Sequence, residues 1–210
     1  MTAWLALFFG IQVGSAQVAI PAVFVTAEPA DVDVLYRFAA ETAGLDGPAL
    51  TPACRAWSAF FAMCFMVEED GARRLIHQGD LEEWQVDDAE LEELARSQGL
   101  SLLSTFSGHQ VGIADLKDDA YWLFEGENGL ASTALLYPEW MVDRVGEGMV
   151  LAIPSRGRVV AWVPGDEEVD RVIAIGIRRL YEQAQIPVSS VIVRWNGQAW
   201  VRWGEAQARP

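Results

Sequence analysis

A chain of 210 residues with 51% apolar side chains can bury a large core, which excludes disorder over its whole length. Its formal charge of −15 comes from 30 acidic against 15 basic side chains, with Lys117 the single lysine. That balance excludes the clustered cations on which nucleic-acid binding depends, disfavours an anionic membrane surface, and reads as a device for solubility.

The first 27 residues carry no charged side chain. The run Trp4-Leu5-Ala6-Leu7-Phe8-Phe9 resembles a signal-peptide core, with Gly14-Ser15-Ala16 as its cleavage site, yet no Lys or Arg precedes it. Gly10, Gln12, Gly14, Ser15, Gln17 and Pro21 break up a spanning helix. Residues 1–27 are therefore an apolar N-terminal segment with two readings. The protein is expected to be cytoplasmic, or exported and periplasmic if the segment is a cleaved signal.

Residues 28–86 are expected to be mainly helical. Ala30 to Ala43 has an N-cap in Asp31, an apolar face of Val34, Leu35, Phe38 and Ala39, and a stop at Gly44. A second helix is predicted from Thr51, with Pro52 in its first turn, to about Val67; it is apolar nearly all round and so central to the core. Cys54 and Cys64 fall within it. Ten helical positions place them about 80° from facing the same way and about 15 Å apart, too far for a disulfide. On that reading both are buried thiols, and a bridge would require that the segment is not a continuous helix. Residues 72–86 show no clear pattern.

Residues 87–204 are expected to form an α+β domain. A helix opens at Asp87 or Asp88 and runs to Ser97, with Gly99 as its stop. Seven carboxylates among the twelve residues Glu82 to Glu93 read as a solvated face, since they lack the spacing of a calcium loop. His109 to Leu116 and Ala120 to Glu125 read as strands around a Lys117-Asp118-Asp119 turn. Gly126 to Gly129 reads as a turn, and Leu130 to Val145 as a helical segment broken near Pro138. Met149 to Pro154 and Arg158 to Pro164 make a second hairpin around Ser155-Arg156-Gly157. Asp166 to Gln185 is the clearest helix, with Val169, Val172, Ile173, Gly176, Ile177, Leu180 and Ala184 on one face. Ser190 to Trp195 and Ala199 to Trp203 form a third hairpin around Asn196-Gly197. The predicted fold is an antiparallel sheet of successive hairpins in ββα-ββα-ββ order, with helices packed on one face.

Chemistry is sparse. His77 and His109 are the two histidines, and neither has a second His or Cys at metal-ligand spacing, so no metal site is expected. No phosphate-binding loop, dinucleotide fingerprint or nucleophile elbow occurs, so no cofactor and no catalytic residue is assigned. Ser104, Ser107 and Ser155 could each be set beside His109 on paper, but no spacing selects one. Four residues stand as binding candidates. Arg156 at its hairpin tip suits a carboxylate, Tyr137 and Trp140 flank Pro138, and His109 opens a hairpin. Nine tryptophans are many for this length and belong mainly to a core, with a sugar- or peptide-binding surface as the sharper reading.

The second half resembles the YtpQ-like family of uncharacterised bacterial proteins. The resemblance starts at the helix Ala89–Ala95 with Leu102-Leu103. It resumes at Asn128-Gly129-Leu130-Ala131-Ser132, Leu135-Leu136 and the run from Gly146 to Pro154, then ends with the amphipathic helix, Ile186-Pro187-Val188-Ser189 and the strands around Asn196-Gly197. It covers roughly 115 residues, and residues 1–80 do not share it. The family carries an acid where this chain has Gly157, so no role transfers to that turn. The resemblance implies a fold and no activity.

The expectation is thus a non-catalytic binding or protein-interaction module, with another protein as the partner, no metal, no nucleic acid and no nominated small-molecule ligand. The alternatives are a hydrolase-like enzyme using carboxylates, with His109, and an exported glycan- or envelope-binding protein that stacks sugars on tryptophan.

Overall fold

The computed structural model describes residues 22–32, 50–69, 72–103 and 107–203. Within them helices combine with two antiparallel sheets. The smaller sheet has β1 (Val23–Pro29), β2 (Cys54–Ala56), β3 (Phe61–Glu69) and β4 (Ala72–Leu75). β3 is its axis. β1 lies along one side in register from Val23 opposite Val67 to Pro29 opposite Phe61, and β2 and β4 share the other side.

This corrects the predicted helix Thr51–Val67, and the described residues of 28–86 hold three strands and part of a fourth beside one short helix where a mainly helical region was expected. An apolar run buried on both faces has no polar side to reveal its period, so strand and helix look alike in sequence. In the structure Phe61, Met63, Phe65 and Val67 face the main core, while Ala62, Cys64 and Met66 face a second cluster with Phe24, Val32 and Leu75. The break comes at Ser58, whose hydroxyl oxygen accepts from the amides of Phe60 and Phe61 and folds the chain back from β2 into β3. Pro52 pairs with His77 in an isolated bridge instead of opening a helix. Strand pairing sets Cys54 opposite Cys64 with their Cα atoms 4.1 Å apart, joined by a disulfide, so the expectation of two buried thiols is also corrected. The helix expected from Ala30 lies outside the described residues from position 33 onward.

The larger sheet has six strands, β5 (Ser107–Ile113), β6 (Lys117–Glu125), β7 (Val150–Ser155), β8 (Arg158–Trp162), β9 (Val193–Trp195) and β10 (Trp200–Arg202), ordered β10-β9-β7-β8-β6-β5. The first hairpin turns at residues 114–116, three positions before the predicted turn. A bulge between Val111 and Ile113 offsets the register, and Asp115 takes a left-handed conformation (φ 62°).

Between the strands lie α1 (Gln78–Trp84), α2 (Asp88–Leu103), a 3-10 helix (Glu127–Leu136), α3 (Pro138–Val145) and α4 (Glu167–Gln183). The predicted one-sided covering of the sheet is corrected. Val150, Ala152, Val160 and Trp162 meet Val169, Ile173 and Ile177 of α4 on one face. Leu151, Ile153, Val159 and Ala161 belong, on the other face, to a cluster with the 3-10 helix, α2 and the inner face of the smaller sheet. That cluster runs from Val23 to Trp200, so one core draws on both the 28–86 and the 87–204 regions. The α4 start is set by Asp166, whose carboxylate accepts from the amides of Glu168 and Val169.

α2 continues through Gly99, where a stop was predicted. The glycine serves a close approach instead: a Cβ there would stand 2.7 Å from the Tyr137 hydroxyl and 3.1 Å from Thr133. That hydroxyl donates to the Arg96 carbonyl one turn back, which locks the 3-10 helix onto α2.

The outer edge of β1 is closed by side chains. Gln98 Oε1 accepts from the Val23 amide at 2.6 Å, Ser132 Oγ from the Ala27 amide at 2.9 Å, and Thr133 Oγ1 donates to the Val25 carbonyl at 2.9 Å. Ser132 and Ala27 are both fully buried, so Ser132→Ala leaves an amide with no water to turn to. The expected loss is about 1–3 kcal/mol of unfolding free energy, read from urea denaturation. A loss under about 0.5 kcal/mol would show that this amide finds another acceptor.

Candidate binding site

The four residues singled out from sequence do not converge. Arg156 sits at the β7–β8 turn, where its Nη2 lies 2.6 Å from Oε1 of Glu28 at the end of β1. The Glu28 side chain is 3% exposed, against 24% for Arg156. The carboxylate that the turn binds is therefore one from its own chain, and the pair ties the smaller sheet to the larger. Arg156 Nε is buried without a partner. Tyr137 is a core residue, with the Arg96 guanidinium 5.9 Å from its ring centre. His109 is exposed on β5 opposite Leu123, so it points to the face opposite that of Trp122 and Phe124.

Trp140 belongs to a more specific arrangement. Pro138 fixes the start of α3, which sets Trp140 against Phe124 at 5.9 Å between ring centres. Arg144 follows four positions later on the same helix face. Its guanidinium carbon lies 5.5 Å from the Trp140 ring and 5.3 Å from the ring of Trp122 on β6, so the cation stands between two indoles. Trp122 in turn stacks on Phe124 at 6.0 Å and 16°. Arg144 was missed in the sequence, where the Trp140–Arg144 spacing was its only local signal and the second indole comes from a distant strand.

This cluster borders the edge of the sheet. Gly108 of β5 is opposite Phe124, and Gln110 is opposite Trp122. A Cβ on Gly108 would meet the Phe124 ring at 2.6 Å and lie 3.6 Å from Arg144 Nε, so the ring and the guanidinium reach over the edge strand in place of a side chain. Among the described residues β5 ends the sheet, and its sequence Ser107-Gly108-His109-Gln110-Val111-Gly112-Ile113 holds no Lys, Arg, Asp, Glu or Pro. The other described edges are protected: β10 is three residues long and carries Arg202, β2 is three residues with Arg55, β4 is four residues with Arg73 and Arg74, and β1 is sealed by side-chain hydrogen bonds.

A second charged group surrounds Asp80 at the start of α1. Arg74 donates to both of its oxygens, at 2.7 and 3.0 Å, and also to Glu69, while the His77 amide donates to Asp80 Oδ2 at 2.7 Å. Burial pushes the Asp80 carboxyl up, but the Arg74 hydrogen bonds and the His77 amide outweigh it and hold the group below the usual carboxylate range. Burial depresses His77 against the pull of Asp80. These hydrogen bonds cap a helix and clamp β4, which makes the group a structural joint. An open depression at the β5–β6 turn is lined by residues 112–118, of which Ala114 to Asp118 are exposed. Among the described residues, no cluster of His, Cys, Asp and Glu could hold a metal ion, and no helix is long and apolar enough to cross a membrane.

No protein-family model, no curated protein and no solved structure matches the chain.

Proposed function

We propose that this protein is a non-catalytic interaction module that takes up an extended segment of another protein along β5, by adding a strand to the edge of the larger sheet. The observation that carries this reading is the contrast between edges. A seven-residue edge strand without charge or proline is an exception in a chain of net charge −15 whose other described edges are short, charged or capped. Main-chain hydrogen bonds supply affinity in such a mode, and the side chains beside the strand supply selectivity. The hairpins and helices of residues 87–204, in the ββα-ββα-ββ reading, form the frame that holds this edge out.

The test is panning of a displayed library of nine-residue peptides on the full-length protein, followed by amide hydrogen exchange with an enriched peptide bound. Slowed exchange concentrated in residues 107–113 is the expected result. Protection confined to another part of the chain, or a library with no enriched sequence, would overturn the reading.

We also infer that the chain matures in an oxidising compartment. The disulfide between Cys54 and Cys64 favours this over the cytosol, and cleavage after Ala16 would leave β1 whole, since that strand begins at Val23. Glycan stacking has less support: the rings of Trp122 and Trp140 flank the Arg144 guanidinium, which competes for their faces.

A further inference from the structure

We infer that the Trp122–Arg144–Trp140 clamp is a carboxylate subsite, reading an Asp or Glu side chain in the bound strand at the position opposite Gly108. The inference rests on strand uptake at β5 and names the chemistry of the segment taken up.

Three observations carry it. Arg144 is exposed and has no carboxylate within ion-pair reach among the described residues, in a chain with 30 acidic side chains. Arg55, Arg73, Arg74, Arg96, Arg156, Arg158, Arg171 and Arg178 all have one; Arg179 on α4 and Arg194 on β9 share the lack, but of these three it is Arg144 whose guanidinium is held over aromatic rings. Glu139 and Asp143 share its helix but stand five and one positions away, off its face. The cation is thus left without an acid where acids are plentiful.

The second observation is preorganisation. Rings from two elements lie 5.3 and 5.5 Å from the guanidinium carbon, so part of the rotamer entropy that an arginine loses on binding is already lost. A cation–π contact uses none of the N–H donors as hydrogen bonds, and those donors form the planar fork that matches a carboxylate.

The third is placement. Arg144 Nε lies 3.6 Å from where a Cβ of Gly108 would be. A strand added outside β5 sets one of its side chains about 5 Å from that point on the same face. Because position 108 has no side chain, that position puts nothing between the incoming group and the guanidinium. A short acidic side chain spans that gap, and Arg144 offsets its charge in a chain of net charge −15.

The experiment uses the full-length protein and three fluorescein-labelled nine-residue peptides of alternating Thr and Val that differ at the centre: Glu, Gln or Lys. Binding is read by anisotropy and its location by amide exchange. The Glu peptide is expected to bind about tenfold more tightly than the Gln peptide, with the Lys peptide weakest and residues 107–113 protected. In Arg144→Gln the Glu and Gln peptides are expected to bind equally, still at β5. Arg144→Lys, which keeps the charge and loses the planar fork, is expected to recover only part of the preference. Equal binding of Glu and Gln peptides to the parent protein, with β5 protected, overturns the subsite and leaves strand uptake standing. Absence of binding by all three peptides, or binding away from β5, overturns both. Concentration-dependent dimerisation that protects β5 without peptide overturns the inference in favour of a second copy of this chain as the occupant.

Discussion

Arg156→Ala is expected to destabilise the protein by about 3 kcal/mol, the largest effect we assign to a single charged side chain. Removing one member of a buried ion pair leaves the other charged and desolvated, which typically costs about 3–5 kcal/mol. Glu28 is the member that would be stranded, and its side chain is 3% exposed. Arg156 itself keeps 24% of its side chain in solvent, so the cost is expected at the lower end. The reverse change should be milder: Glu28→Gln keeps a carbonyl acceptor for the guanidinium, which water also reaches. About 1–2 kcal/mol is expected there, of the order of a hydrogen bond to a charged group.

The pair also has an architectural consequence. Glu28 closes β1 of the smaller sheet, and Arg156 turns β7 into β8 of the larger, so the contact fastens one sheet to the other across 128 positions of sequence. Replacing both by leucine removes the stranded charge and should restore most of the loss, because an apolar pair of similar volume is often neutral or better. Urea unfolding at pH 7 of the two single variants and the double variant closes the cycle. A loss under about 1 kcal/mol for Arg156→Ala, or a double variant no better than it, would mean that the bridge does not hold the sheets together.

What could be read from sequence follows from where each signal resides. α4 and the hairpins β7–β8 and β9–β10 were legible because their signals are local: a 3.6-residue apolar stripe from Val169 to Leu180, and turns at Ser155-Arg156-Gly157 and Asn196-Gly197, where Gly197 has φ 95°. β3 was not legible, since burial on both faces erased its period. β4 is four residues, Ala-Arg-Arg-Leu, held by Arg73 to Glu68 and by Arg74 to Glu69 and Asp80, and no stripe or alternation records such pairings. Arg156 was singled out for its chemistry, but its partner lies at the far end of the chain. Arg144 was overlooked for a related reason, because its second indole, Trp122, reaches it only through the fold.

Reduction of the Cys54–Cys64 bridge is expected to cost about 2.5–3 kcal/mol, from the chain entropy of a short closed loop. Two Cα atoms that a continuous helix would hold about 15 Å apart stand 4.1 Å apart because the segment folds as two paired strands. β2 is three residues long and so contributes few ladder hydrogen bonds of its own. The bridge confines it to β3, where the Ala53 carbonyl accepts from the Phe65 amide and the Ala53 amide donates to the Ile76 carbonyl. Freed of it, β2 should fray first, and with it the hold on Ile76 in the core. For a chain of this size the loss corresponds to about 5–10 °C in Tm, read by calorimetry with and without reductant and in Cys54→Ala/Cys64→Ala. Because Cys64 is fully buried, reduction should be slow in the native state and fast in urea. Alkylation of unreduced, denatured protein from its native host checks the premise directly. Recovery of two alkylated cysteines would remove both the bridge and the argument for an oxidising compartment, whereas an unmodified mass that shifts only after reduction supports both.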